Sequence, residues 1–200
     1  PETIFGHEFT GEIIEIGETL RDGDFKLGDR VTSLPFIDDK TIGLGAITGA
    51  YSEYVKVGYD LVVKLPEELS NRDGALVEPL AVGLHSVKMA GSVAGRTVLI
   101  IGAGPIGLTC AIWCRFFGAA KVILSELSDA RIAMAKTFGF NDFVDPSGDV
   151  TAQCETLLKG PPEIQFECVG KTGLMQECIA RAPKRGLIMG IGVCDHPDTI

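Results

Sequence analysis

Cysteine is missing from the first half of this 200-residue chain. All six, Cys110, Cys114, Cys154, Cys168, Cys178 and Cys194, lie beyond residue 100, and no two form a Cys-x-x-Cys pair. The set excludes a disulfide framework and reads as reduced thiols in a cytoplasmic protein. Cys110 and Cys114, one helical turn apart among Leu108, Ile112, Trp113 and Phe116, read as buried small hydrophobes. No apolar run reaches the length of a bilayer span and no signal peptide is present, so no membrane partner is expected. Basic clusters are absent too. With 27 Asp and Glu against 18 Lys and Arg, the net charge of −9 excludes a nucleic-acid surface. There is no initiating methionine, no internal repeat and no low-complexity segment. The chain opens at Pro1-Glu2-Thr3 and stops at Asp198-Thr199-Ile200, just after a strand-like run, so both ends are expected to be cut from a longer protein. The 46% of apolar residues is enough to bury a core in one or two domains.

The stretch from Val98 to Glu126 carries the most chemistry. The apolar run Thr97-Val98-Leu99-Ile100-Ile101 leads into Gly102-Ala103-Gly104-Pro105-Ile106-Gly107, then a helical stretch, then Lys121-Val122-Ile123-Leu124, ending at Ser125-Glu126. Gly102 permits a tight turn, Gly104 lets backbone approach a pyrophosphate, and Gly107 lets the helix lie close on the strand. A pyrophosphate sits favourably at such a helix N-terminus, where unpaired N–H groups and the dipole attract an anion. Glu126 falls where a carboxylate hydrogen-bonds the adenosine ribose and repels a 2′-phosphate, which favours NAD over NADP. The bland alternative is a strand–helix turn with no ligand, and Glu126 could instead pair with Arg131. Arg131 itself reads either as flanking the adenine or as a solvated helix residue.

Along the chain, residues 1–88 read as one domain and 89–200 as a second, dinucleotide-binding one. The first is rich in short β-like runs: Phe9 to Gly17, a turn at Leu27-Gly28-Asp29-Arg30 entering a strand at Val31, Tyr51 to Val57, and Leu61 to Leu65, with a glycine-rich loop between Val31 and Tyr51. From Ser92 strands and helices alternate. Leu108, Ala111, Ile112 and Phe116 share a helical face. Ser128 caps a helix carrying Ile132, Ala135 and Phe138 that stops at Gly139. Phe143-Val144, Ile164 to Val169 and Leu187 to Val193 read as further strands, and Gly173 to Ala180 as a helix. Buried strands alternating with helices imply an α/β class, a doubly wound parallel sheet.

A second constellation is Gly6-His7-Glu8 together with Glu78 in Val77-Glu78-Pro79-Leu80-Ala81. A histidine with carboxylates can hold zinc, whose catalytic sites use three protein ligands and an open position. By spacing alone the set reads equally as a strand-edge His7 with two solvated carboxylates. His85, in an apolar helical stretch, reads as a packed, hydrogen-bonded core residue, and His196 is assigned no role.

Taken in order, Gly6-His7-Glu8-x-x-Gly11, Gly28-Asp29-Arg30-Val31, Glu78-Pro79-Leu80-Ala81 and the glycine fingerprint resemble the zinc-dependent medium-chain dehydrogenase/reductase (alcohol dehydrogenase) family. The polyol, butanediol and threonine dehydrogenase branch looks closest, because it carries Glu-Pro-Leu-Ala where other branches have cysteine. The resemblance implies a partial GroES-like catalytic domain followed by a Rossmann coenzyme domain incomplete at its C-terminus. It implies a small-molecule alcohol or ketone substrate, NAD, and a catalytic zinc held by His7 and Glu8, with Glu78 an alternative or supporting ligand. It places Val169, Gly170, Ile191 and Val193, in Phe166-Glu167-Cys168-Val169-Gly170 and Gly190-Ile191-Gly192-Val193, on strand ends lining the nicotinamide. A homo-oligomer, dimer or tetramer, follows by analogy. The family's upstream cysteine ligand is not in this chain, and its four-cysteine structural-zinc lobe has no counterpart between Val31 and Tyr51, so a structural zinc is not expected. Two rivals remain: a zinc-free reductase of the same superfamily, and a non-catalytic nucleotide-binding module.

Overall fold

Short strands with frequent turns build the N-terminal part, and long apolar strands the C-terminal part. The computed structural model describes residues 4–20, 23–45, 47–194 and 196–197. The chain divides into two units, Pro1–Leu80 and Ala81–Ile200.

In the first unit, β1 (Gly11–Glu12), β2 (Arg30–Ser33) and β5 (Val62–Lys64) form an antiparallel sheet in the order β1-β2-β5. β3 (Phe36–Ile37) and β4 (Lys40–Thr41) form a separate hairpin. The expected strand over Phe9 to Gly17 shrinks to two residues, continued by the bonds Ile13 N–H to Asp29 O and Gly28 N–H to Ile13 O. The expected loop between Val31 and Tyr51 contains the β3–β4 hairpin. Its turn is Asp38-Asp39, both with positive φ (47° and 61°), the mirror-type turn more often made by Asn-Gly. Tyr51 to Val57 is no strand. Its start is tied to residues 5 and 6 through Ala50 N–H and Tyr51 N–H, and the Ser52 hydroxyl donates to Gly49 O and Tyr54 O, which bends the chain. α1 (Asn71–Gly74) is capped by Ser70, and α2 (Val77–Met89) follows, with the boundary between the units falling inside it.

The second unit is wound around β6 (Thr97–Ile101), α3 (Pro105–Phe116), β7 (Lys121–Ser125), α4 (Asp129–Thr137), β8 (Phe143–Val144), α5 (Val150–Leu158), β9 (Ile164–Glu167), α6 (Leu174–Arg181) and β10 (Leu187–Gly190). The sheet is all parallel, in the order β10-β9-β6-β7-β8. The chain winds outward from β6 to β8 and then crosses back to β9, so the winding reverses between β6 and β9. A ligand crevice opens at the carboxyl ends of the strands at such a point. The sheet is buried on both faces: Val98, Ile100, Ile164 and Phe166 pack with Leu108, Cys110 and Cys114 of α3, while Leu99, Ile101 and Ile123 pack with Cys154 of α5 and Cys178 of α6.

Four sequence readings shift. Phe116 is exposed, and α3 buries Cys110 and Cys114 where Phe116 was expected. Phe138 follows α4 and is exposed, while Phe140 beyond the Gly139 turn fills the core. His85 is exposed, because Gly83, Ser86 and Val87 take the buried face of α2. β9 and β10 end at Glu167 and Gly190, and beyond β9 the Val169 and Gly170 N–H groups turn from the ladder to the Glu167 carboxylate. α5, capped by Asp149 accepting from Ala152 N–H, is an element that the sequence pattern left without a reading. Among the described residues no helix is long and apolar enough to cross a membrane.

Candidate functional site

Gly6 turns the chain into His7 with φ +96°, and a Cβ there would lie 2.6 Å from the Tyr51 ring. That close approach sets the direction in which His7 and Glu8 leave the backbone. Three contacts bring Glu78 to them across some seventy residues of sequence. The Thr10 hydroxyl donates to Asn71 O at 2.7 Å. Gly74 of α1 packs so closely that an added Cβ would stand 2.6 Å from the Thr10 methyl and 2.7 Å from Leu65. The Arg30 guanidinium donates to Leu69 O (2.7 Å), Pro66 O (2.8 Å), Glu67 O (3.1 Å) and Asn71 Oδ1 (3.2 Å), holding the loop that leads into α1.

The result is a triad: a ring nitrogen of His7 and a carboxylate oxygen each from Glu8 and Glu78 lie within 4.8 Å of one another. His7 and Glu78 are half-buried and Glu8 is exposed. Burial raises the Glu78 carboxyl above its ordinary range; His7 opposes the shift and the neighbouring Glu8 charge adds to it. Two carboxylates crowded beside an imidazole are relieved by a cation. Imidazole nitrogen and carboxylate oxygen are ligands that zinc accepts, and ligand atoms about 3.4 Å apart complete a tetrahedron with bonds of about 2.1 Å. In ligand type and spacing the donor set suits zinc. Asp29 of the neighbouring motif is structural: it pairs with Lys64 at 2.7 Å and accepts Lys26 N–H at 2.9 Å, and the Lys64 bond holds its carboxyl low.

In the second unit the fingerprint forms the turn its glycines require. Gly102 has φ +93°, its N–H bonds Ser125 O, and an added Cβ would meet Val169 at 2.8 Å. A Cβ on Gly107 would run into the Gly102 carbonyl, so only glycine lets α3 lie on that turn. Gly104 is the N-cap with no side-chain cap bond, and Pro105 opens the helix, with Ile106 and Gly107 in its first turn. The N–H groups of Ile106 and Gly107 fall in this uncapped first turn, a setting that suits an anion.

Glu126 stands at the end of β7, 7% exposed. Its Oε1 accepts Leu127 N–H and Ser128 N–H, and its Oε2 accepts Ala103 N–H at 2.9 Å. Arg131 lies at 3.7 Å from Oε2, its own side chain 59% exposed. Burial works against ionisation, but the Ser128, Ala103 and Leu127 amides and Arg131 outweigh it and hold the carboxyl below its usual range. Glu126 thus both tethers the glycine turn and keeps acceptor capacity on Oε2.

The turns beyond β9 and β10 carry the other expected residues. Val169 is half exposed, Gly170 takes φ +76° against the backbone of Val193, Ile191 is half-buried, and Val193 is exposed. Glu167, 3% exposed, bonds both turns. Its sequence signal is weak: a carboxylate at the end of a short strand, just before Val169-Gly170. His196 is exposed and engages none of these groups.

Comparison with known proteins follows the same division. Residues 1–67 match the alcohol dehydrogenase GroES-like domain and residues 105–200 match the zinc-binding dehydrogenase family. The chain is 34% identical over 215 residues to (R,R)-butanediol dehydrogenase of Bacillus subtilis (strain 168), covering 98% of this chain and 61% of that one. It is 32% identical over 212 residues to sorbitol dehydrogenase of Gallus gallus, covering 95% and 59%. Among solved structures, a Sinorhizobium meliloti 1021 protein described as a zinc-binding dehydrogenase bound to NADP superimposes with a TM-score of 0.88 at 31% identity, over 100% of this chain and 64% of that one. The chain thus spans about six-tenths of the length of the curated relatives it matches. Its glycine-turn sheet, its β-rich first unit and these matches agree: the chain belongs to the zinc-type medium-chain alcohol and polyol dehydrogenase family.

Proposed function

We propose that this chain serves reversible hydride transfer between a secondary alcohol or polyol (or the corresponding ketone) and NAD, with zinc held by His7 and Glu8 and with Glu78 an alternative or supporting ligand. The convergence of those three donors within 4.8 Å carries the reading. A bound zinc supplies Lewis acidity that lowers the pKa of a substrate alcohol, and the hydride acceptor is the cofactor's own ring. The chain's part is to orient. Gly102, Gly104, Pro105, Ile106 and Gly107 receive the pyrophosphate, Glu126 receives the ribose hydroxyls with Arg131 beside it, and Val169, Gly170, Ile191 and Val193 flank the nicotinamide. The Glu126 charge disfavours a 2′-phosphate, which supports NAD over the NADP found in the Sinorhizobium meliloti protein. We read residues 1–88 as the catalytic portion and 89–200 as the coenzyme portion of a cytoplasmic homo-oligomer.

Metal analysis with a cofactor titration tests this. The wild-type protein is expected to hold about one zinc per chain and to bind NAD. His7→Ala or Glu8→Ala is expected to weaken zinc by more than about tenfold while NAD binding stays within about twofold. A zinc-free wild type, or zinc unaffected by either change, overturns the metal assignment.

A further inference from the structure

Glu167 ends β9 with 3% of its surface exposed, and among the described residues no Lys or Arg pairs with it. A carboxylate so far from water has to be met by donors, and here the donors are all backbone. Its Oε1 accepts Val169 N–H at 2.7 Å and Gly170 N–H at 2.9 Å. Its main-chain oxygen accepts Ile191 N–H at 2.8 Å and Gly192 N–H at 2.9 Å. The carboxylate therefore closes the turn after β9, and the main-chain oxygen of the same residue carries the pairing into the turn after β10.

The turns are in turn locked to each other. Gly192 has no room for a Cβ, which would stand 2.7 Å from Glu167 Oε2 and strike the Gly170 backbone. Gly170 is equally closed by the backbone of Val193, and Val169 rests against Gly102 of the phosphate-binding turn. Gln165, two residues earlier and fully buried, offers a contrast. It donates to Cys178 O and accepts from Arg181, so it fastens β9 to α6 and touches neither turn.

We propose that Glu167 is a positioning residue for the nicotinamide half of the cofactor, holding the turns after β9 and β10 as one block at the crevice; this rests on the cofactor reading given above. Filling the sheet needs only an apolar side chain, whereas two turn amides need an acceptor of this reach.

Calorimetric titration with NAD and with ADP-ribose, which lacks only the nicotinamide, separates positioning from general damage. Glu167→Asp keeps the charge and shortens the reach, Glu167→Ala removes both, and Glu167→Gln keeps the reach and the acceptor. Asp and Ala are expected to weaken NAD by about tenfold and ADP-ribose by less than about twofold, with Gln restoring NAD to within about threefold of wild type. If the Ala variant fails to fold, the Asp variant carries the comparison. Equal losses for both ligands, unchanged NAD affinity in Asp and Ala, or a Gln variant as weak as Ala overturns the proposal. A wild-type protein that binds neither ligand removes the cofactor reading itself, an outcome distinct from any pattern among the variants.

Discussion

The two units hold their functional groups by opposite means. Residues 1–80 contain 16 Asp and Glu against 7 Lys and Arg, and residues 81–200 contain 11 against 11, so the whole net charge of −9 sits in the first unit. There the chemistry lies in side chains, His7, Glu8 and Glu78, gathered by hydroxyl and guanidinium bonds to loop carbonyls. In the second unit the groups proposed to meet the cofactor are backbone amides at strand ends, and side chains such as Glu126 and Glu167 tether the turns that carry them. The difference teaches where tolerance lies. A site made of side chains fails when a ligand or its brace is replaced; a site made of amides fails when a glycine gains a Cβ.

The largest effect should come from Gly107→Val, whose Cβ meets the Gly102 carbonyl and carries two further methyl groups. A loss of about 3 kcal/mol in denaturant unfolding, with NAD binding abolished, is expected. Intact NAD binding would break the backbone side of the comparison. Arg30→Ala comes next. Releasing three loop carbonyls and the Asn71 amide should cost about 2 kcal/mol and weaken zinc, since the loop that sets Glu78 is freed. Unfolding curves paired with a zinc titration check it, and unchanged zinc affinity would show that Glu78 is placed by other contacts. The smallest effect concerns pH. Glu126 has a lowered pKa when folded, so its contribution is present above the ordinary Glu value and is lost as pH falls through the folded one. Glu126→Gln should flatten the loss of stability below about pH 4.3 by about 1 kcal/mol, measured by unfolding between pH 2 and 6. An acid limb identical to wild type would mean that Glu126 is not a net tether.

The second unit was the more legible in sequence. Residues 98–101 and 122–124 form unbroken apolar runs because both faces of a parallel strand are buried, and Ser128 caps α4 as its spacing requires. Legibility failed where local and global preferences compete. Phe138 has the helical spacing, but the Gly139 turn hands its core place to Phe140. In the first unit, alternation at Tyr51–Val57 mimics a strand, although Ser52 bends the backbone out of any ladder. The Asp38-Asp39 turn hid a hairpin because neither residue is the usual glycine signal. The cluster of His7, Glu8 and Glu78 proposed to hold zinc had no short-range signature: Glu78 joins His7 through Arg30, Thr10 and Gly74, contacts that only the fold reveals. The α5 helix had a cap signal in Asp149, masked by the neighbouring Pro146 and Gly148.

The strand order also dictates a sequence of assembly. β6 meets β7 after 24 residues (Thr97 with Lys121) but meets β9 only after 66 (Val98 with Ile164). Closing the longer loop costs about 0.9 kcal/mol more chain entropy, and the β6–β7–β8 half can wind up while β9 is still free. The crevice between β6 and β9 therefore depends on the longer of the two closures. A cofactor cannot template the early half; it can only reward a chain that has already completed its crossover, so dinucleotide added during refolding should raise the yield of the finished state without hastening its first steps.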